Sequence, residues 1–246
     1  MQEGALPPPR FGVTGRVAAL EKVAESVTAL QVEVTAAPLA FAPGQYVALK
    51  LPEQPPRDYS LGWRSEPQML EFFVRDHGSG GASSFVARRL RVDDEVCFDG
   101  PFGTMMPDPR HSGPVLCVAG STGIGPVASI AAAIGEMQPE ADVHLYWSAA
   151  NEEELFLLDD LAAALPLNGR LILAAEDADA DGVIVRPGTA LDAIRADFDR
   201  LEGWAAYAAG PPAMVEAASD LLTSLGLDAA AFHADAFFTQ KDKQKD

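Results

Sequence analysis

The sequence is poor in cysteine and histidine and has no long apolar run, and each shortage excludes a class of protein. The only cysteines, Cys97 and Cys117, lie in the apolar segments EVCFDG and VLCVAG, which leaves no disulfide framework and no four-cysteine zinc or iron–sulfur site in this chain. The four histidines are widely scattered, so we expect no metal site. No apolar run reaches the roughly 18 residues that span a bilayer. The N-terminus MQEGALPPPR lacks the basic start and apolar stretch of a secretory signal, and we therefore expect a cytoplasmic protein.

Basic residues are also scarce relative to acidic ones. The chain of 246 residues has 18 Lys and Arg against 36 Asp and Glu, a formal net charge of -18 at pH 7. This charge repels nucleic acid and anionic membrane surfaces, so neither is expected as a partner. Three lysines crowd into QKDKQKD at the end of the sequence, and we expect residues 239–246 to form a flexible tail.

Short strand-like segments separated by turn residues run from Phe11 to about Met106. They are GVTGRVAAL, VTALQVEV, QYVALKL, MLEFFVRD and DEVCFDG, with turn signals at APGQ, PEQPP and GPFG. The pattern predicts a first domain over residues 11–106, an antiparallel β-barrel or sandwich. The proline-rich segment PDPRHSGP, residues 107–114, is expected to be a linker.

Strands alternate with helices over residues 113–238. The predicted strands are PVLCVAG, DVHLYWSA, LILAAE and WAAYAAG, and the predicted helices are GIGPVASIAAAIGEM, EEELFLLDDLAAAL, TALDAIRADF and PAMVEAASDLLTSLG. This alternation predicts an α/β domain with a doubly wound parallel sheet. Ligands of such sheets bind beyond the carboxyl ends of the strands.

Two glycine-bearing segments follow strands of the second domain. AGSTGIGP, residues 119–126, lies between its first strand and first helix, and AGPPAM, residues 209–214, follows its last strand. Glycine allows a tight turn and close backbone approach, and a helix N-terminus offers N–H groups to a phosphate. Each segment alone is compatible with an ordinary strand-to-helix turn. Two of them at one sheet edge favour a nucleotide cleft.

The first domain has two segments of interest. RDYSLGW, residues 57–63, puts Arg57 and Tyr59 on one face of a strand with Ser60 nearby, although an edge strand with a solvated arginine explains the pattern equally. GGASSFVARRL, residues 80–90, reads as a helix among strands. Its start is suited either to a phosphate or to simple capping by serine.

The segments RDYS, GGASS, GPFG, AGSTGIGP, AGPPAM and HADAF occur in the order and approximate spacing of the ferredoxin–NADP reductase superfamily. The resemblance runs from about Arg16 to Phe237. Within the superfamily the sequence most resembles the reductase components of bacterial ring-hydroxylating oxygenases, which pass electrons from a nicotinamide to an iron–sulfur protein. Such relatives often carry an attached plant-type ferredoxin domain, whose cluster the two cysteines here cannot hold.

The resemblance implies a flavin, with FAD favoured and FMN as the alternative. By resemblance Arg57 contacts flavin phosphate, Tyr59 packs on the isoalloxazine ring and Ser60 hydrogen-bonds near flavin N5, tasks that suit a guanidinium, an aromatic plane and a small hydroxyl. Trp63 is a candidate for stacking on adenine. The helix-start phosphate site falls on Gly81, Ala82 and Ser83. The nicotinamide pyrophosphate site falls on Gly120, Thr122, Gly123, Gly125, Gly210, Pro211 and Met214.

Two residues near the C-terminus also match the family. Asp235 of HADAF stands where relatives have a carboxylate close to the flavin, so that Tyr59, Ser60 and Asp235 form the expected catalytic set; the alternative for Asp235 is a solvated acidic residue. Phe237 either covers the flavin ring or anchors the tail. One position departs from the family, because Ala209 replaces a cysteine that many relatives carry beside the nicotinamide.

The choice of nicotinamide depends on charge after the second strand of the α/β sheet. A 2′-phosphate calls for basic groups there, whereas WSAANEEELF, residues 147–156, has three consecutive glutamates and no Arg or Lys. NADH is therefore favoured over NADPH, although Arg170 or Arg186 could reach in from another loop.

These features predict a flavin-dependent NADH oxidoreductase that passes electrons to a separate ferredoxin or oxygenase component. Docking of an acidic ferredoxin on this acidic chain calls for a local basic or apolar patch, for which the candidates are Arg10, Arg64, Arg88, Arg89 and Arg91. Two alternatives stay open. One is a reductase of free flavins or ferric chelates, and the other is a non-catalytic flavin-binding electron-transfer or regulatory subunit, which Ala209 favours slightly.

Overall fold

A computed structural model describes residues 6–78, 80–179 and 184–237. The chain divides into two compact units, and the division falls between Met106 and Pro107. The segment 107–114, predicted to be a linker, lies in the second unit. There the backbone N–H of Asp108 donates a hydrogen bond to the hydroxyl oxygen of Tyr207 at 3.0 Å. The predicted tail, residues 239–246, lies outside the described residues.

The first unit is built on one antiparallel sheet in the order β4-β3-β6-β1-β2-β5. The end strands β4 and β5 also lie close to one another, so the sheet is nearly closed into a barrel. Its elements are β1 (Arg10–Lys22), β2 (Val27–Val34), β3 (Tyr46–Lys50), β4 (Arg57–Ser60), β5 (Met69–Arg75), α1 (Gly81–Arg88) and β6 (Glu95–Phe102). The predicted antiparallel β-barrel domain is thus confirmed.

Alternating side chains fill the interior of this sheet. Along β2 the buried positions include Leu30, Val32 and Val34, while Gln31 and Glu33, which alternate with them, are less buried. Phe72 and Phe98 are completely buried in the same apolar cluster. Each fully buried side chain of this size stabilises the fold by about 1.5–3 kcal/mol relative to an exposed one. Helix α1 covers this core with Ala82 and Val86.

The second unit is a parallel sheet in the order β10-β9-β8-β7-β11-β12 with helical connections, which confirms the predicted α/β fold. Its strands are β7 (Val115–Gly120), β8 (Val143–Ala149), β9 (Arg170–Ala175), β10 (Val185–Pro187), β11 (Ala205–Gly210) and β12 (Phe232–Ala236). Its helices are α2 (Ile124–Met137), α3 (Leu158–Ala164), α4 (Ala190–Asp197) and α5 (Pro212–Ser224). The central strands β7 and β11 are buried along their whole length, as expected for a sheet covered on both faces.

The segment EEELFLLDDLAAAL departs from the prediction of one continuous helix. Glu152–Glu154 form a single 3₁₀ turn, and α3 begins only at Leu158, after Leu157 in a left-handed conformation with φ 52°. Between them Phe156 is buried, with its ring edge-on to Trp147 at a centroid distance of 5.1 Å. Tertiary packing of Phe156 therefore outweighs the local helical pattern. The sequence pattern also does not predict the short edge strands β10 and β12.

No helix in the described part of the chain is long and apolar enough to cross a membrane. Within the same residues, no group of three or more His, Cys, Asp or Glu side chains could hold a metal ion.

Candidate functional site

The two glycine segments meet where the strand order of the second sheet reverses, between β7 and β11. A Cβ on Gly123 would overlap the carbonyl oxygen of Ala209, and one on Gly120 would lie 2.6 Å from Met214 Sδ. Gly210 has φ 148° and lies directly against the backbone of Gly120. No side chain larger than hydrogen fits at Gly123, where it would meet backbone, and at Gly120 it would require Met214 to move, so the backbones of both loops line one narrow edge. Such a switch point is where open α/β sheets bind nucleotides.

The start of α2 lies in this cleft and is capped by no side chain. Ser121–Gly123 form a 3₁₀ turn that leads into the helix, and Thr122 in that turn is half-buried. Gly125 is buried in the first turn of α2. Helix N–H groups that lack a side-chain cap, together with the positive end of the helix dipole, suit a pyrophosphate.

The final strand brings a carboxylate to the same edge. In the parallel pairing of β11 with β12, Asp235 lies opposite Ala209, and the N–H of Phe237 donates to the carbonyl oxygen of Gly210 at 2.9 Å. Asp235 is half-buried. The structure thus brings Asp235 and Phe237 beside AGPPAM, of which Pro211 is the residue before α5 and Met214 lies in its first turn.

Acidic groups line the neighbouring strand ends. After β8, Glu152 and Glu153 are exposed, and the backbone N–H of Glu152 donates to Oδ1 of Asp177, which follows β9, at 3.0 Å. Glu154, the third glutamate, is buried. Two of the three glutamates and Asp177 therefore present negative charge near the end of the second strand.

Neither arginine named as a possible phosphate ligand is free at this edge. Arg170 begins β9 opposite His144, at the amino end of the sheet, and a strand of this length spans about 17 Å. Arg186 is ion-paired with Asp197, at 2.7 Å between Arg186 Nη1 and Asp197 Oδ2. Burial raises the pKa of Asp197, but hydrogen bonds from Arg186 and Tyr146 outweigh it and hold that pKa below its usual range. The position of Arg170 and the ion pair of Arg186 therefore leave neither arginine free to bind a phosphate at this edge. The sequence alone did not indicate this.

In the first unit, Arg57 and Tyr59 lie at alternate positions of β4. They pair with Leu49 and Val47 of β3. The ring of Tyr59 packs edge-on to Phe72 at 6.4 Å. Burial raises the pKa of Tyr59 to about 12 against the opposing charge of Arg57, so the phenol stays neutral near pH 7. Tyr59 is therefore suited to packing and hydrogen bonding rather than to proton transfer.

Ser60 has a different neighbour. It pairs with Tyr46 of β3, and Tyr46 in turn pairs with Phe102 of β6, with ring centroids 5.8 Å apart. Strand alternation puts Ser60 in register with this aromatic pair rather than with Val47. The sequence reasoning did not name Tyr46 as a neighbour of Ser60. The signal that could have found it is its position as an aromatic residue directly after the APGQ turn.

The start of α1 is open. Gly80 and Gly81 have φ values of 84° and 80°, and no described atom lies within 4 Å of a Cβ built at either position. Gly80 provides no side-chain cap. Ala82 is buried against the core and Ser83 is half-buried. The first-turn N–H groups therefore remain suitable for a phosphate.

Asp76 anchors this helix, and sequence reasoning missed it. Ser84 Oγ donates to Oδ1 of Asp76 at 2.5 Å, and Arg88 Nε donates to Oδ2 at 2.9 Å. The hydrogen bond from Ser84, with one from the N–H of Gly78, lowers the pKa of Asp76. Ser84, one of two serines in GGASS, is thus occupied in holding the helix.

A partly buried polar cluster follows β4. Trp63 stacks on Phe73 at 4.9 Å, so one face of the indole is covered. Arg64 pairs with Oε1 of the buried Glu71 at 2.6 Å. Within the described residues, Trp63 Nε1 and Glu71 Oε2 are buried without a hydrogen-bond partner. A buried polar atom without a partner calls for an explanation, and an indole N–H is a donor that a bound ligand could satisfy.

Comparison with known proteins identifies both units. Residues 14–106 match the family model for the oxidoreductase FAD-binding domain, and residues 117–220 match that for the oxidoreductase NAD-binding domain. A ferredoxin–NAD(P)⁺ reductase component of naphthalene 1,2-dioxygenase/salicylate 5-hydroxylase systems from Ralstonia sp. is 35% identical over 92% of this chain and 69% of the relative. The corresponding naphthalene dioxygenase component of Pseudomonas putida is 32% identical with the same coverage.

Solved structures of reductases have the same fold as this chain. The cytochrome P450 reductase GcoB of Amycolatopsis superposes with a TM-score of 0.87 at 28% identity, over 94% of this chain and 70% of that one. The ferredoxin reductase of carbazole 1,9a-dioxygenase, at 24% identity and a TM-score of 0.84, shares the fold.

The fold and the two sites define a flavin- and nicotinamide-binding oxidoreductase, with FAD in the first unit and a pyridine nucleotide in the second. The chain belongs to the ferredoxin–NAD(P)⁺ reductase family. The family indicated by the six sequence segments is thereby confirmed.

Proposed function

We propose that the protein oxidises NADH and passes the electrons through FAD to a separate ferredoxin or oxygenase component. The observation that carries the proposal is the contact of Gly120 and Gly123 with Ala209, Gly210 and Met214. This contact supports a dinucleotide because it brings two backbone loops and a helix start to one strand edge. We expect the reaction to take place in the cytoplasm, where NADH is supplied.

The residues of the first unit would hold and orient the flavin. Arg57 and the N–H groups of Gly81, Ala82 and Ser83 would bind its phosphates, because a guanidinium and an uncapped helix start both favour anions. Tyr59 would pack on the ring system as a neutral phenol. The chemistry that flavin supplies when bound is the conversion of a two-electron donor into single-electron transfers.

Two residues would act closest to the reacting nitrogen. The hydroxyl of Ser60 would hydrogen-bond near flavin N5. Asp235 would supply the carboxylate that the family resemblance assigns close to the flavin. Phe237 would cover the ring. Ala209 supplies no thiol beside the nicotinamide, so positioning of the donor at roughly 3–3.5 Å from its acceptor would contribute most of the rate.

Preference for NADH rests on the charge around the adenosine end of the cleft. Glu152, Glu153 and Asp177 would repel a 2′-phosphate, and the charge of Arg186 is paired with that of Asp197. Two unit charges 4 Å apart near a protein surface interact by about 4 kcal/mol. Solvent screening reduces this figure, but it still favours the nucleotide that lacks the phosphate.

The relatives support the proposed electron acceptor, because their names describe reductase components of dioxygenase and monooxygenase systems. An acidic iron–sulfur partner would need a local basic surface on a chain of net charge -18. Arg64 is paired with Glu71, and Arg10 donates to the carbonyls of Ala37 and Pro38. Arg88, Arg89 and Arg91 at the end of α1 are exposed, whereas Arg10 and Arg64 are only partly exposed, so the three exposed arginines are the better candidates even though Arg88 also pairs with Asp76.

The proposal is tested by the visible spectrum of the purified protein during anaerobic additions of NADH and then of NADPH. Rapid bleaching of a yellow protein by NADH and slow bleaching by NADPH is the expected result. A yellow protein that resists both nucleotides would identify an electron-transfer subunit instead. Faster turnover with free flavin or ferric chelate than with any candidate ferredoxin or oxygenase component would overturn the proposed acceptor. A protein that binds neither FAD nor FMN would overturn the whole proposal.

A further inference from the structure

Trp147 is completely buried in the middle of the second sheet, yet it carries a polar group. It lies on β8 in register with Ala119 of β7 on one side and Leu173 of β9 on the other. Its indole Nε1–H donates to the carbonyl oxygen of Ser121 at 2.9 Å. An indole nitrogen can only donate, and a buried donor needs an acceptor. This bond therefore links the interior of the sheet to the glycine segment AGSTGIGP.

The acceptor of this bond is a strained residue. Ser121 has φ 52°, a left-handed conformation that side chains with a Cβ rarely adopt. Such a residue persists only where its surroundings hold it. The Ser121 carbonyl also accepts from the N–H of Ile124. Two donors thus converge on one carbonyl and hold the peptide between Ser121 and Thr122 in one orientation.

The orientation of this peptide determines the direction in which the N–H of Thr122 points. In a trans peptide the C=O and N–H vectors point in opposite directions. Because the Ser121 carbonyl points at Trp147, the N–H of Thr122 points away from the sheet interior. On the other side of the loop, Gly120 and Gly123 press against Met214 and Ala209, so the segment has little freedom to rotate.

The plane of the indole is itself fixed. Phe156, buried after the 3₁₀ turn of the glutamates, packs edge-on to Trp147 with an interplanar angle of 81°. The break in the predicted helix thus places an aromatic ring against the residue that holds the loop.

We propose that Trp147 is a positioning residue for the pyridine nucleotide, whose indole N–H holds the left-handed Ser121 so that the following peptide presents its N–H to the pyrophosphate. The inference rests on the proposed use of this cleft for NADH. It adds a residue of β8 whose side chain is completely buried.

The test uses Trp147→Phe, which keeps an aromatic ring against Phe156 and removes the donor, and which also leaves a small cavity where the second ring of the indole lay. Its matched control is Trp204→Phe, because Trp204 packs on His144 and Phe198 of the same unit. We expect the Kd of NAD⁺ and the KM for NADH to rise about tenfold in Trp147→Phe, the size of one net hydrogen bond. We expect kcat and bound FAD to change less than twofold, and Trp204→Phe to leave KM unaltered.

A second substitution separates positioning from packing. Glycine adopts φ near 50° without strain, so Ser121→Gly added to Trp147→Phe should recover most of the lost NAD⁺ affinity. A loss that Ser121→Gly does not recover would show that Trp147 acts only by packing and would overturn the inference. An unchanged KM in Trp147→Phe would overturn it as well.

A further test keeps the sequence free of substitutions and labels the tryptophans with fluorine, so it does not depend on the folding of a variant. With 5-fluorotryptophan in place of its three tryptophans, the ¹⁹F signal of Trp147 should shift on saturation with NAD⁺, because the pyrophosphate would polarise the carbonyl that the indole donates to. The signal of Trp204 should not shift. Movement of neither signal while NAD⁺ binds would overturn the inference and leave the proposed function standing. Absence of NAD⁺ and NADH binding in the native protein would overturn both.

Discussion

The chain uses glycine for different reasons at the start of α1 and at the start of α2. At α1 of the first unit, Gly80 and Gly81 have positive φ and open space around them, so glycine is there for its conformation. At the turn before α2 of the second unit, Gly123 has φ -59°, and a Cβ there would overlap the carbonyl of Ala209, so glycine is there for its size. The same residue type in the two segments proposed to bind phosphate therefore predicts different consequences of substitution.

Gly123→Ala should have the largest effect. The added methyl must displace the end of β11, and overpacking of this kind destabilises by about 1–3 kcal/mol. The displacement moves Ala209 and Gly210, so we expect NADH affinity to fall by more than about a hundredfold, equivalent to about 2.7 kcal/mol. Isothermal titration with NAD⁺ measures the loss, and the FAD content measured by absorbance should stay unchanged. Normal NAD⁺ binding by this variant would contradict the steric role of Gly123.

Arg57→Ala and Ser60→Ala should separate binding of flavin from its reduction. Removal of the Arg57 guanidinium should weaken FAD retention by about ten- to a hundredfold, since hydrogen bonds to charged groups contribute about 1.5–3 kcal/mol. Ser60→Ala should keep FAD bound and slow its reduction by NADH in stopped-flow experiments. If both variants retain FAD and the native reduction rate, the flavin site has been misplaced. Lys50→Ala is the matched control, because it also removes a cation from the first unit, the Lys50 ammonium that pairs with Asp99.

Gly81→Ala should have a smaller effect than Gly123→Ala, which is the sharpest check of the comparison. The methyl meets no described atom, and only the left-handed backbone opposes it, by about 1–2 kcal/mol. We expect a loss of FAD affinity of about tenfold and no change in NAD⁺ affinity. Equal losses of stability in the two variants, measured by thermal unfolding, would remove the distinction between conformation and size.

Ser84→Ala should have the smallest effect, and it should depend on pH. The Ser84 hydrogen bond lowers the pKa of Asp76, so this carboxylate stabilises the fold above its unfolded pKa near 4. That stabilisation is lost as pH falls below about 4 towards the depressed folded value. The variant should unfold at a lower temperature at pH 7 and lose less stability on acidification than the native protein. Parallel stability curves between pH 7 and pH 3 would contradict the role of Ser84.

Several functional positions could be found from sequence because their signals are local. Strand alternation, turn residues and the change to alternating strands and helices after about residue 113 predict both architectures. The glycine segments are recognisable because each lies directly between a strand and a helix. The arrangement of Arg57 and Tyr59 at alternate positions follows from the pleat of a strand.

Other positions could not be found because they depend on contacts between distant segments. Asp76 holds α1 through Ser84 and Arg88, and the acceptor of Trp147 lies 26 residues before it in the chain. The failure of the predicted helix after β8 has the same origin, because burial of Phe156 against Trp147 overrides the local pattern. Arg170 reads in the sequence as a possible phosphate ligand, but the direction of β9 places it at the opposite edge of the sheet.

Both folds, the family and the segments proposed to bind each cofactor can be recognised from the sequence, because periodicity, glycine and capping act over a few residues. Only the folded chain shows which of those segments touch, which glycine is needed for space and which for conformation, and which buried donor bonds to the strained Ser121. These properties depend on strand order and side-chain packing, and both are set only when segments far apart in the chain are brought together.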